Sequence, residues 1–121
     1  MTEEITRALA SDRIIDITTT GKQSGQPRRK EIWFHNIQGR IFITGLPGTR
    51  DWYANLSANP EFTFHLKEGV KADLPAVAGP ITDQTERREI LTAILQKLDQ
   101  NYDLEKWVAE SPLVEVNFPS G

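Results

Sequence analysis

Phe62, Phe64 and Leu66 alternate with Thr63, His65 and Lys67. A period of two marks a strand whose faces meet different surroundings, and this is the cleanest such segment in the chain. Ile15 and Ile17 alternate with Asp16 and Thr18 inside a β-branched run from Arg13 to Thr20, which predicts another strand. Residues Glu31 to Ile37 and Arg40 to Thr44 flank Gln38-Gly39 and predict a hairpin, with Ile41 and Ile43 on one face. Residues Ala72 to Ile81 alternate less clearly, and Pro75 within them predicts an edge strand or a bulge. Leu113 to Phe118 places Val114, Val116 and Phe118 on one face, a last strand able to close the sheet. On this alternation His35 and His65 fall opposite the apolar positions and are expected to be exposed.

Helical spacing appears in fewer places. Ile90, Leu91, Ile94, Leu95 and Leu98 form a stripe. Asp83, three residues before Glu86, predicts its N-terminus as a capping-box variant. Shorter helices are expected at residues 3 to 10, at Trp52 to Ala58 with Asp51 as cap, and at Tyr102 to Glu110, where Trp107 packs against the sheet. The fold class is therefore α+β and β-rich, a barrel of about six mostly antiparallel strands with flanking helices.

With 121 residues the chain is expected to form one domain, 1–121, without repeats or linkers. It has no cysteine, which excludes disulfides and thiolate chemistry and fits a cytoplasmic setting. No stretch reaches the roughly 18 apolar residues of a membrane span, and residues 1 to 10 lack the apolar core of a signal peptide. The net charge is −3, unevenly spread. Lys22, Arg28, Arg29 and Lys30 stand together without an acid, while the acids between Asp83 and Glu110 are spaced as a solvated helix face. One local basic cluster on an acidic chain points to one anionic partner. A nucleic-acid surface would need aromatic side chains among the cations, and this segment has none, so no nucleic-acid partner is expected. Two isolated histidines predict no metal site.

Two segments carry candidate chemistry. The first reads TTTGKQSGQPRRKEIW from Thr18 to Trp33. Its glycines allow backbone N–H groups to turn toward an anion, Ser24 adds a hydroxyl, and Lys22, Arg28 and Arg29 add cationic donors. A solvated basic hairpin is the competing reading of the same residues. The second reads ITGLPGTRDWYANLSANP from Ile43 to Pro60. Glycines before a helix start, with Arg50 among them, make a second anion-type feature. Leu56 reads as core, and Trp52 is equally suited to core or site.

The pattern Thr-Thr-x-Gly-Lys-x-Ser-Gly-x-Pro-Arg followed by Trp-Tyr-x-Asn-Leu-x-Ala-Asn-Pro resembles the deazaflavin-dependent nitroreductase and quinone reductase family. That family is part of the wider group of split β-barrel flavin-binding oxidoreductases. Both halves are present, at Thr19 to Arg28 and Trp52 to Pro60. The resemblance implies a split barrel that binds F420 and transfers hydride to a small acceptor: a quinone, a nitroaromatic or an activated alkene. It places Lys22, Ser24 and Arg28 at the phosphate-bearing tail, with Pro27 shaping the loop. Ile32 and Trp33 fall along the ring, Thr44 and Gly45 beside the cofactor, and Trp52 and Asn55 on the bordering helix. Nothing is carried over onto Arg29 or Lys30. FMN, haem or a fatty acid, held by a carrier of the same fold, are the alternative ligands. Tyr53 and Glu31 are the nearest candidates for a proton donor, although structural roles suit both better. Related barrels pair, so a homodimer is compatible with the resemblance.

Overall fold

The computed structural model describes residues 1–99 and 101–119. Its elements are α1 (Glu3–Ser11), β1 (Ile14–Thr20), β2 (Pro27–Ile37), β3 (Arg40–Thr44) and α2 (Asp51–Ala58). After them come β4 (Glu61–Leu66), β5 (Ala72–Pro80), α3 (Gln84–Leu98), α4 (Leu104–Glu110) and β6 (Leu113–Asn117). The six strands close into a barrel in the order β1-β2-β3-β6-β5-β4, with every pairing antiparallel. No helix among the described residues is long and apolar enough to cross a membrane.

Alternation along the strands builds the barrel core. Ile15, Ile17, Phe34, Ile41, Ile43, Phe62, Phe64, Leu66, Val114 and Val116 point inward and exclude water from one cluster. Since β1 and β3 are both antiparallel to β2, they run in the same sense, Thr20 ending opposite Pro27 and Ile43 standing opposite Phe34, further along β2. Helix α1, which leads into β1, adds Ala8 and Leu9 to this cluster, and α2, which follows β3, adds Trp52 and Leu56. A second core lies outside the barrel wall. There Phe42 and Leu113 meet Ile90, Leu91, Ile94 and Leu95 of α3 and Trp107 and Val108 of α4.

Several expectations change. Strand β2 begins at Pro27 rather than Glu31, because Pro27 to Lys30 pair with Thr20 to Ile17 of β1. Strand β5 is not an edge along its whole length. Residues 72–77 pair with β4 and residues 77–80 with β6, so Pro75 sits in the half paired on one side. Asp51 is the first helical residue and not the cap. Arg50 holds the cap position without a side-chain cap bond, and the Asp51 carboxylate still suits the positive end of the helix. Asp83 does cap α3, accepting from the Glu86 N–H at 2.9 Å.

Both histidines are buried, against the alternation argument. Although His65 faces outward, its ring is held in the sheet by neighbours on either strand. Its Nδ1 lies 2.7 Å from Asp73 Oδ1 and its Nε2 lies 2.7 Å from the Thr18 hydroxyl, each within hydrogen-bond distance. His35 lies beneath α3, enclosed with Trp33, Phe34 and Leu98 and facing Lys97 and Arg13. Burial, and then those two cations, push its pKa down to about 4. Arg87 was an unforeseen core residue on the helix read as a solvated face. Only 6% exposed, it donates to the carbonyls of Ile81 (2.8 Å), Trp107 (3.3 Å), Val108 (2.8 Å) and Ser111 (2.6 Å). The Trp107 and Val108 oxygens lie in the last turn of α4, where that of Trp107 also takes the Ser111 N–H at 3.0 Å and that of Val108 relies on Arg87.

Two predictions follow from these buried groups. Arg87→Met removes the donor to four carbonyls, of which, among the described residues, only that of Trp107 keeps another partner, the Ser111 N–H, and is expected to cost about 3 kcal/mol in urea unfolding. A loss below about 1 kcal/mol would mean that water reaches those oxygens. For His35 the unfolded chain binds the proton at a higher pH than the native one. Stability therefore falls as pH drops from the ordinary histidine value toward 4, by up to about 3 kcal/mol. Unfolding of His35→Gln across that window is expected to lack this increment; equal slopes in both proteins would refute it.

Candidate active site

The loop between β1 and β2 is built by short local bonds. The Gly21 N–H donates to the Gln26 carbonyl at 2.8 Å, and Gly25 N–H to the Gly21 carbonyl at 3.0 Å. Gly25 has φ +69°, a left-handed conformation that favours glycine. The Gln26 N–H donates to Ser24 Oγ at 3.2 Å. Gly21 leaves little room for a side chain: a Cβ there would stand 2.4 Å from Ser24 Oγ, 3.3 Å from the Gln26 carbonyl oxygen and 3.7 Å from Arg28 Nε, so the Ser24 hydroxyl would have to turn away. Close packing thus brings the hydroxyl and the guanidinium to one point.

Asn55 joins this loop to α2. Its Oδ1 accepts from the Lys22 N–H at 2.9 Å, and its Nδ2 donates to Thr19 Oγ1 at 3.3 Å. Between the loop, the strand ends and α2 lies a cavity of about 740 Å³. Ile17, Thr19 and Gly21 line it from β1 and the loop start, with Lys22, Gln23 and Ser24 from the loop. Arg28 and Lys30 enter from β2, and Asp51, Trp52, Ala54 and Asn55 from α2. Three cations therefore face one carboxylate. Among the described residues none of the three is in an ion pair.

The structure brings five of the ten expected site residues to this cavity: Lys22, Ser24, Arg28, Trp52 and Asn55. Pro27 starts β2 opposite Thr20 and borders a different groove, on the outer face of β1, β4 and β5. Ile32 packs against the barrel core, and Trp33 projects outward at 47% exposure, toward α3. The Thr44 hydroxyl is committed to the Pro112 carbonyl at 2.6 Å. Gly45 borders Trp52 from behind, where an added Cβ would stand 3.9 Å from its ring. Arg50 turns back onto its own loop, donating to the Thr49 and Leu46 carbonyls at 2.8 and 3.0 Å, and does not line this cavity.

Both proton-donor candidates lie outside the cavity. Glu31 is on the outer face, paired with Lys67, and Tyr53 lines a second cavity beside Arg87 while meeting Trp52 edge to face. Lys30, Thr19, Ile17 and Asp51 are lining residues that sequence reasoning missed. Period two could have found Lys30. Counting inward from Arg28 puts residue 30 on the same face and residue 29 on the other, provided the strand is known to start at Pro27.

A lining that combines cations and hydroxyls with the apolar surface of Ile17, Trp52 and Ala54 fits a ligand with an anionic tail and a flat apolar ring. The volume is in the usual range for cofactor sites. The family profile described as F420H(2)-dependent quinone reductase matches residues 2–116. Among solved structures, one described as an F420 reductase superposes with a TM-score of 0.76 at 14% identity, covering 99% of this chain and 97% of its own. A candidate 5-nitroimidazole antibiotic resistance protein from Bacteroides thetaiotaomicron gives 0.75 at 14% identity, over 98% of this chain and 81% of its own. A conserved hypothetical protein from Mycobacterium tuberculosis gives 0.74 at 20%, over 99% and 82%. At such identities these likenesses establish the split-barrel fold, and the profile establishes the rest: this chain belongs to the F420H2-dependent quinone reductase family, whose cofactor is the deazaflavin F420.

Proposed function

We propose that this protein is an F420H2-dependent reductase of small acceptors: quinones first, with nitroaromatics and activated alkenes as related substrates. The observation that carries the reading is the convergence of two sequence-distant segments, the β1–β2 loop and α2, on one cavity with three cations that form no ion pair among the described residues. Such a site favours a ligand with several negative charges over a neutral one.

In this reading Lys22, Ser24 and Arg28 hold the phosphate-bearing tail. Arg28 suits two oxygens at once, and the Gly21 crevice keeps Ser24 beside it. Trp52, Ile17 and Ala54 supply apolar surface to the ring. Asn55 acts one step back, since both its amide atoms are engaged by Lys22 and Thr19 and hold the loop in place. Bound F420 supplies the hydride chemistry, and the chain supplies orientation. Tyr53 and Glu31 both lie outside the cavity, so neither is placed to supply the proton that accompanies hydride.

Fluorescence titration with F420 and FMN tests the assignment. Wild type is expected to bind F420 and to hold FMN more weakly, because FMN brings fewer charges to the same cations. Arg28→Ala is expected to weaken F420 binding about tenfold or more, the loss of one charge-assisted contact. Oxidation of F420H2 by a soluble quinone should then be measurable with wild type. Absence of F420 binding by wild type would sink the reading, and binding without quinone reduction would favour a carrier.

A further inference from the structure

The four consecutive residues Arg28, Arg29, Lys30 and Glu31 divide between two environments. Strand alternation, in the register Thr19↔Arg28 and Ile17↔Lys30, sends Arg28 and Lys30 into the cavity. It sends Arg29 and Glu31 to the outer face. There Arg29 Nε donates to Asp16 Oδ2 at 2.9 Å, and Lys67 bridges Asp16 and Glu31. All the charge on the outer side is paired; Lys30 on the inner side is not, among the described residues.

Lys30 also stands apart from the phosphate-type cluster. Arg28 Nε lies by Gly21 and Ser24, whereas Lys30 enters two residues further along β2, about 6.6 Å at the usual strand rise. Its cross-strand partner is Ile17, from the wall of the apolar part of the cavity. One phosphate held by Lys22, Ser24 and Arg28 leaves this ammonium without an ion-pair partner among the described residues, Asp51 being the one carboxylate of the cavity lining.

We propose that Lys30 is a second, separate anion contact of the cofactor site, so that the site reads two anionic groups of one ligand: a phosphate at Arg28 and a further acidic group at Lys30. This rests on the F420 reading above. It makes Lys30 a specificity-determining residue, selecting a cofactor with a second acidic group over a flavin with a phosphate alone.

The test is fluorescence titration of wild type, Lys30→Gln, Lys30→Arg and Arg29→Gln. The ligands are F420, FMN and the tail-less chromophore that keeps the ring but lacks phosphate and carboxylates. Lys30→Gln is expected to bind F420 about tenfold more weakly and FMN unchanged, with Lys30→Arg restoring most of the affinity. Arg29→Gln, which removes the same charge one residue away on the outer face, is expected to bind F420 as wild type does. If the tail-less chromophore also weakens with Lys30→Gln, the second acidic group is on the ring; if not, it is in the tail; both results support the proposal. It is overturned if Lys30→Gln binds F420 within twofold of wild type, or if Arg29→Gln loses as much, which would reduce Lys30 to part of a diffuse positive field. Wild type that binds no F420 overturns the cofactor reading itself, and the proposal with it.

Discussion

Everything at this site depends on the register between β1 and β2. Because side chains alternate with period two, sliding one strand by a single residue would turn Arg28 and Lys30 out of the cavity and bring Arg29 and Glu31 in. The register is fixed at both ends. Inward, Ile15, Ile17, Ile32 and Phe34 must reach the barrel core together. Outward, the Asp16 carboxylate accepts from Arg29 and from Lys67, and those bonds hold it below the ordinary carboxylate range, Lys67 contributing most. At the far end of β1, Glu68 accepts from the backbone N–H groups of Arg13 and Ile14, at 2.9 and 2.6 Å, so the strand cannot slide there either. Each exposed ion pair adds little stability alone. Their effect is to make one register cheaper than its neighbours.

Register alone does not make a cavity; direction does. Antiparallel pairing of β2 with both neighbours sets β1 and β3 running in the same sense, and α2, which follows β3, reaches the loop after β1 through Asn55. That geometry joins a loop at residues 21–26 to a helix at residues 51–58. Barrel closure supplies the rigidity. β6 inserts between β3 and β5, and β5 changes partner at Val77 from β4 to β6. The loop itself leans on α2 through the single side chain of Asn55, so it is the least constrained wall of the site.

Much of this was legible in the sequence, for reasons that also explain the rest. Most of the strands and the α3 stripe are legible because each has one face in a core and one outside it, which imprints a period, while β5 alternates less clearly and β2 is marked by the Gln38-Gly39 turn. The β1–β2 loop and α2 could be singled out because glycine, proline and cations cluster there without an apolar pattern to explain them. What escaped depends on contacts between distant segments. Pro27 to Lys30 carry no apolar alternation, so their strand character comes only from pairing with β1. His35 is an outward residue, but the wall it faces is roofed by α3, and a two-sheeted view of the strand has no place for a roof. Arg87 sits on a helix whose other charges are solvated, and only α4 crossing above it makes a guanidinium there useful. Asn55 matched a family position, yet its amide is committed to Thr19 and Lys22, a partnership 33 to 36 residues long in sequence.

The two cores divide the work of the molecule. The helical layer of α3 and α4 packs on the wall formed by Phe42 and Leu113, and Arg87 fastens it by the carbonyls at the end of α4. None of its residues lines the cationic cavity. Binding groups instead project from the barrel rim, on backbone already fixed by the inner core. Lys22, Arg28 and Lys30 are solvent-exposed, so their charges escape the desolvation that burial would impose on unpaired cations. A substitution at any of them should therefore act on the ligand and hardly on folding. Such a rim can exchange one anionic partner for another by changing a few exposed side chains, while the closed barrel beneath keeps the apolar wall of Ile17 and Trp52 where it is.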